Sequence, residues 1–406
     1  MYQNAALLAL LSFLYVLISG RVERSWLSGP ILFVAGGFLL GPGGLAVLSL
    51  EMTAEGLRLL AELTLAMVLF SDAATADLAR IRRSRGLPER LLLIGLPLAI
   101  LAGMGVAWLI FPGIGLVEMA LLAAILAPTD AALGEPVVAN REVPPDLRAT
   151  LSFESGLNDG ICVPVVVLLA GFAIGTEIEG QPAAHVLRVI VEELGIGLAT
   201  GAVLAGAAAA LLRLAHARNW IADGWRDLAL VAVAIACFTT AQALGGSGFI
   251  ACFVGGLVVR LPRPRRHELL RGTHIVGDGL ALLTWVAFGA AIVWQVADRV
   301  TLPVVLYALL SLTVVRMLPV YLCLMGSKLA PRDRLFVGWF GPRGLASIVF
   351  ALLILDTGLP HLEMLEAVIA CTVLLSVLAH GMTANPLVRL CARRWRRNPG
   401  TATSQP

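Results

Sequence analysis

Four stretches of otherwise apolar sequence carry the side chains that could do chemistry. Thr129 and Asp130 follow Ala127-Pro128. Glu154, Ser155, Asn158 and Asp159 fall close together. Arg316 stands in an apolar run, and Arg343 lies in Gly341-Pro342-Arg343-Gly344. Glu154 and Asn158 are four residues apart, as are Ser155 and Asp159, so on a helix each pair shares a face. Ser155 and Asp159 then form an oxygen-rich edge with Glu154 and Asn158 beside it. A small hard cation binds carboxylate, hydroxyl and carbonyl oxygens. Thr129, Asp130, Ser155 and Asp159 supply these if the two stretches pack together. A carboxylate in such a site holds a proton or a metal ion but not both, so the two ions compete. The alternative, that these groups only satisfy one another in a polar core, is the weaker reading for Asp159. Glu154 fits another role: a buried glutamate without a partner is costly, and Arg316 is the cation available to it, so a mainly structural ion pair is expected.

These residues need elements that hold them in an apolar surrounding, and the composition indicates which. The chain has 406 residues, 58% hydrophobic and 14% charged; a soluble globular domain is about 25% charged. One water-soluble core cannot absorb that apolar excess, whereas a bilayer can. Stretches of roughly 20 mostly apolar residues give about thirteen spans, near 5–20, 29–48, 56–75, 91–111, 115–138, 149–174, 186–212, 227–244, 247–260, 273–296, 301–325, 334–356 and 363–388. The N-terminal run from Ala5 to Ser19 is expected to be the first span, since it has no basic start or small-residue cleavage site.

Charge placement supports the count. Basic residues gather in alternate connections: Arg80, Arg82, Arg83, Arg85 and Arg90 after the third span, Arg260, Arg263, Arg265, Arg266 and Arg271 after the ninth, and Arg389, Arg393, Arg394, Arg396 and Arg397 after the last. The opposite connections and their borders hold Arg58, Arg188 and Arg299. Because Lys and Arg mark the cytoplasmic side, the N-terminus is expected outside and the C-terminus in the cytoplasm. A single transmembrane domain over 1–390 is expected, with a short basic and polar cytoplasmic tail over 391–406.

Ionisable groups inside spans cost about 2.5–3.5 kcal/mol each and are functional candidates by default. They concentrate in the fifth, sixth, eleventh and twelfth spans, so an ion-binding bundle is expected to include the spans near 115–174 and 301–356. The fifth and twelfth are each interrupted near the middle by Pro, Gly or polar residues, at Pro128 and at Gly341-Pro342. These are matching positions, the fifth of the first six spans and the fifth of the last six. Two six-helix halves in an inverted repeat, with broken helices crossing at mid-membrane, would produce that pattern. Free carbonyls and helix ends at the breaks carry partial charges that can meet an ion.

Other polar residues read as less central. Asp72 and Asp77 end the third span beside basic residues, where a loop ion pair is preferred. Glu62 faces an outer funnel or the lipid interface. His274 and Asp278 suit capping or interfacial anchoring, and a lone His380 suits local satisfaction. The six cysteines form no CxxC or Cys/His cluster, so neither a zinc site nor a disulfide frame is expected.

Together these residues resemble the sodium/proton exchanger family of the monovalent cation:proton antiporters, over nearly the whole chain. Glu154-Ser155-Gly156-Leu157-Asn158-Asp159 is similar to that family's Glu-Ser-x-x-Asn-Asp signature, and Thr129-Asp130 to its Thr-Asp pair. Ser247-Gly248-Phe249-Ile250-Ala251 and Gly255-Gly256-Leu257 resemble its ninth-span pattern, Arg316 with Leu318-Pro319-Val320 its arginine helix, Gly341-Pro342-Arg343-Gly344 its Gly-x-Arg-Gly break, and Gly37 to Pro42 its glycine-rich early helix. Ala131 and Gly156 depart from the pattern, where proline and a bulky residue are usual.

The resemblance implies a mobile ion-binding bundle moving like an elevator against a fixed dimerisation bundle. It implies ion or proton binding at Asp159 with Thr129, Asp130 and Ser155, sodium being the metal ion there. Glu154, Arg316, Asn158 and Arg343 are charge-pair or structural residues beside the site. An Asn-Asp pair implies electroneutral one-for-one exchange. A homodimeric inner-membrane sodium (or lithium)/proton antiporter is therefore expected. It is expected not to be an enzyme and to have no cofactor, nucleotide or nucleic-acid partner. A potassium/proton antiporter of the same fold and a sodium-coupled organic-anion symporter are the alternatives.

Overall fold

The computed structural model describes residues 2–22, 25–48, 54–76, 86–177, 183–259, 266–355 and 358–395. Asp77, Arg80, Arg82, Arg83, Arg85, Arg260, Arg263, Arg265 and the tail from Arg396 to Pro406 lie outside the described residues.

Every regular element among the described residues is helical. In chain order they are α1 (Tyr2–Val22), α2 (Gly29–Leu40), α3 (Ala54–Thr75), α4 (Leu87–Ile110), α5 (Leu116–Ile125), α6 (Ala131–Val138), α7 (Pro145–Glu177) and α8 (Ala183–Ala217). There follow α9 (Arg226–Ala243), α10 (Gly248–Val258), α11 (Arg266–Ala287, running on to Gln295), α12 (Leu302–Leu312), α13 (Val314–Cys323), α14 (Pro331–Trp339), α15 (Leu345–Ile354) and α16 (Leu362–Trp395). Among the described residues, eight helical stretches are long and apolar enough to cross a membrane: α1, α4, α7, α8, α9, α11, α12 with α13, and α16. The apolar helices α2, α5, α10 and α15 are shorter. In lipid only a helix or a closed barrel satisfies its own backbone, so this is an all-α polytopic membrane fold.

Two departures from the sequence reading have local causes. The expected span over 29–48 is helical only to Leu40, because Gly41, Pro42, Gly43 and Gly44 turn the chain back and Leu48 N–H donates to the Leu40 carbonyl at 2.7 Å. The expected break in the fifth span is present, as the separation of α5 from α6. The expected span over 301–325 is present from Leu302 to Cys323 but carries an unexpected local break at Thr313, whose hydroxyl donates to the Leu309 carbonyl at 2.6 Å and whose backbone leaves the helical region. A threonine that bonds back one turn competes with the backbone ladder. That break lies three residues before Arg316 and was not expected.

The long helix α7 carries four of the candidate residues through the middle of the molecule. It packs against α5 and α6 on one side and against α3, α8 and α10 on the other. The helix α15 lies against α3, α5 and α16. α1 is almost unburied, and Phe13 and Leu17 point outward, as suits a lipid-facing helix.

Candidate ion-binding site

Two unwound segments, 126–130 and 340–344, meet in the interior. Pro128 and Pro342 each lack the amide hydrogen needed to continue a helix. The two segments join where Asp130 N–H donates to the Pro342 carbonyl at 2.7 Å. Close approach requires glycine here. A β-carbon on Gly344 would run into the Asp130 carboxylate, and one on Gly341 into the Arg316 guanidinium.

Breaking two helices leaves four sets of helix ends without backbone partners, and three side chains serve them. Asp130 Oδ1 accepts from Ala132 N and Leu133 N at 2.8 and 3.1 Å, capping α6. Its Oδ2 accepts from Leu345 N at 2.8 Å, capping α15. A negative side chain thus meets two positive helix ends at once. Arg343 is completely buried and serves the opposite pole: its Nη1 donates to the Ala127 and Pro128 carbonyls beyond the end of α5. His380 Nε2 lies 2.9 Å from the Trp339 carbonyl at the end of α14.

On α7, Asn158 Nδ2 donates to Thr129 Oγ1 at 2.7 Å, and Thr129 Oγ1 shares a hydrogen bond with Ser155 Oγ at 3.0 Å. This ties the first break to the α7 face that carries Asp159. At this face of α7 two buried acceptors have no hydrogen-bond partner among the described residues, Asp159 Oδ1 and Asn158 Oδ1. A buried carboxylate oxygen without a donor is costly, and a proton or a cation removes that cost. The other charged side chains acting on Asp159 are Asp130, Asp72 and Arg343.

Glu154 and Arg316 form a bidentate pair, with Nη1–Oε1 2.5 Å and Nη2–Oε2 2.8 Å. Both side chains are almost fully enclosed, so the pair leaves Glu154 no oxygen free of Arg316. The break at Thr313 sits just ahead of this arginine.

A cavity of about 580 Å³ leads to this region. It is lined by Ser71, Asp72 and Thr75 of α3, Ala132 and Glu135 of α6, Ser152 and Ser155 of α7, and His274 and Asp278 of α11. Three residues read as peripheral line it, Asp72, His274 and Asp278. Asp72 stands against Gly156, whose missing side chain leaves the carboxylate-bearing residue 3.5 Å from where a β-carbon would be. His274 is bonded to Ser71, with Nδ1–Oγ 3.2 Å. Asp72 lies on α3 within one turn of its C-terminal end at Thr75, and its nearness to basic residues in sequence drew the reading towards a loop; those residues, Arg80 to Arg85, lie outside the described residues. Glu62, by contrast, pairs with Arg58 at 2.8 Å, away from the cavity.

The family profile described as "Sodium/hydrogen exchanger, transmembrane" matches residues 7–390. The K(+)/H(+) antiporter NhaP2 of Shewanella oneidensis is 26% identical over 396 residues, covering 94% of this chain and 66% of that protein. The K(+)/H(+) antiporter NhaP of Alkalimonas amylolytica is 28% identical over 394 residues, covering 94% and 65%. The chain thus spans just under two thirds of the length of these relatives. The structure of the sodium proton antiporter MjNhaP1 from Methanocaldococcus jannaschii at pH 8 superposes with a TM-score of 0.72, covering 96% of this chain and 97% of that one, at 21% identity. That likeness concerns the fold.

Proposed function

The chain belongs to the sodium/hydrogen exchanger family, and on that premise we propose that it is a secondary active antiporter exchanging a monovalent cation for protons. The observation that carries the reading is the buried Asp159 Oδ1, which, like the side-chain carbonyl oxygen of Asn158, has no hydrogen-bond partner among the described residues. In the proposed cycle Asp159 carries either a proton or the cation. Thr129 and Ser155 supply hydroxyl oxygens, and Asn158 orients Thr129. Asp130 adds negative charge while it caps both broken helices. Glu154 and Arg316 hold α7 to α13, and Arg343 completes the crossing. No chemical reaction on a substrate is involved.

Potassium is the cation this reading favours. Relatives matched over 94% of the chain are named K(+)/H(+) antiporters, which backs potassium better than the sodium expected from the resemblance. Oxygen ligands alone do not separate the two ions, since cavity size and ligand number decide. Sodium/proton exchange is therefore the second reading.

The cavity opens among the ends of α3, α6, α7 and α11 that adjoin the connections rich in arginine. With the N-terminus outside and the C-terminus in the cytoplasm, it is a cytoplasmic funnel, and the conformation is inward-open. We further propose thirteen spans over one transmembrane domain (1–390), an inverted repeat, a plasma-membrane homodimer, and an elevator-like step that carries Asp159 between the two faces. Exchange is one-for-one and electroneutral.

The test is reconstitution of the chain in sealed vesicles carrying a pH gradient, with potassium, sodium and lithium added in turn. Potassium is expected to dissipate the gradient at the lowest concentration, with no change in rate when the membrane potential is clamped. A sodium response below the potassium response in concentration selects the second reading. Sodium uptake that requires an organic anion and moves no protons selects a symporter instead.

A further inference from the structure

His380 is buried on α16 and lies outside the set of residues that meet the ion. Its surroundings form one continuous hydrogen-bond chain. The Arg343 amide donates to Ser376 Oγ at 2.6 Å. Ser376 Oγ lies 3.2 Å from His380 Nδ1, and His380 Nε2 lies 2.9 Å from the Trp339 carbonyl. The Trp339 carbonyl only accepts, so in this hydrogen bond Nε2 is the donor. Nδ1 faces both oxygens of Ser376, the backbone carbonyl at 3.0 Å, which only accepts, and the hydroxyl Oγ at 3.2 Å, which can donate or accept, while Ser376 Oγ accepts the Arg343 amide. The imidazole therefore sits between the Trp339 carbonyl and both oxygens of Ser376.

This chain spans the second break from end to end. Trp339 is the last residue of α14, and Arg343 stands two residues before α15 begins. α16 grips the same segment twice more. The Trp339 indole donates to Thr383 Oγ1 at 3.0 Å, and its ring lies 5.0 Å from the His380 ring. The segment so held is the one that touches the first break, where Pro342 accepts from Asp130 N–H and the Arg343 guanidinium donates to the Ala127 and Pro128 carbonyls. Thr129, with its hydroxyl in the ion site, lies between those contacts.

We propose that His380, bridging the Trp339 carbonyl and, through Ser376, the Arg343 amide, is a positioning residue that sets the geometry of the ion site across the crossing of the broken helices. It touches no ion. It fixes the length and direction of segment 340–344, and through it the location of Thr129 and Asp130. The proposal rests on the cation/proton exchange argued above.

The test uses the full chain in proteoliposomes, with His380→Ala, His380→Gln, Ser376→Ala and the double variant His380→Ala/Ser376→Ala, each selected as monodisperse protein. Apparent half-saturation and maximal rate are read separately for potassium and sodium. His380→Ala is expected to raise the half-saturation concentration roughly tenfold, the effect of one buried partner lost. His380→Gln, which can still donate to Trp339, is expected to recover most of it. Ser376→Ala should shift half-saturation in the same direction, and the double variant should be no worse than the more affected single one, because both act through one chain. Folded His380→Ala protein with wild-type half-saturation overturns the proposal, as do fully additive effects of the two substitutions. Absence of exchange by the wild-type protein with any monovalent cation is a different outcome: it removes the underlying function. Cation-dependent protection of the solubilised variants against heating then remains as the readout of site geometry.

Discussion

Asp130 and Leu345 are joined across the crossing of two broken helices: the carboxylate Oδ2 of Asp130 accepts the Leu345 amide at 2.8 Å while its Oδ1 caps the helix that Asp130 itself begins. One acidic side chain therefore fastens two helix N-termini that are more than two hundred residues apart in sequence. The positive ends of α6 and α15 converge on one negative charge, and the carbonyl ends opposite them converge on Arg343 and His380.

Asp130→Asn tests that fastening. The amide retains one acceptor oxygen, so it can serve α6 or α15 but not both. Losing a cap costs about 0.5–2 kcal/mol. The variant is expected to unfold at a lower temperature in detergent and to exchange ions more slowly. Unfolding and exchange both indistinguishable from wild type contradict the double-cap account.

The Glu154–Arg316 pair predicts a different phenotype. Removing one partner from a buried pair costs about 3–5 kcal/mol, because the other charge is left uncompensated. Glu154→Ala is expected to lower the yield of folded protein sharply, and Glu154→Leu combined with Arg316→Leu to restore part of it. A well-folded Glu154→Ala protein whose cation affinity has changed contradicts a structural role and moves Glu154 into the ion site.

Gly341 and Gly344 provide an independent check on the same contacts. A methyl group at Gly341 meets the Arg316 guanidinium, which its pairing with Glu154 prevents from retreating, and one at Gly344 meets the Asp130 carboxylate. Gly344→Ala is expected to reproduce the exchange defect of Asp130→Asn, and Gly341→Ala the yield defect of Glu154→Ala. Gly134, with open space around it, is the control that should tolerate alanine.

The direction of the cavity gives a topological prediction. Ser152 lines it on α7. After replacement of the six native cysteines, Ser152→Cys is expected to react with a membrane-impermeant maleimide added from the cytoplasmic side, and cation at saturating concentration should slow the reaction. Labelling only from the outer side contradicts both the funnel's orientation and the assignment of the basic connections.

The two mid-span breaks were legible in the sequence because proline and glycine interrupt apolar runs, and the residues of α7 because a four-residue spacing fixes a helical face. The sequence did not reveal which groups would be engaged once folded. Asp130 and Asp159 look alike as isolated aspartates, yet Asp130 accepts three amide hydrogens and Asp159 keeps an oxygen free. That difference depends on where α15 begins, far along the chain. The place of Asp72 in the cavity was hidden for the same reason, since its neighbour Gly156 is distant in sequence, while the arginines of the loop ion pair expected for it lie outside the described residues. Thr313 carried a weak signal, a threonine able to bond back one turn, which ranks below proline as a helix breaker.

The account rests on Asp159 exchanging its proton for a cation, and proton release on cation binding measures this most directly. Purified protein in weakly buffered detergent solution is titrated with potassium, and then with sodium, while a pH dye reports released protons. Wild-type protein is expected to release protons saturably, towards one per chain, with a half-maximal cation concentration that rises as pH falls. Folded Asp159→Asn protein is expected to release none. Cation binding without proton release, or release that persists in Asp159→Asn, contradicts the account.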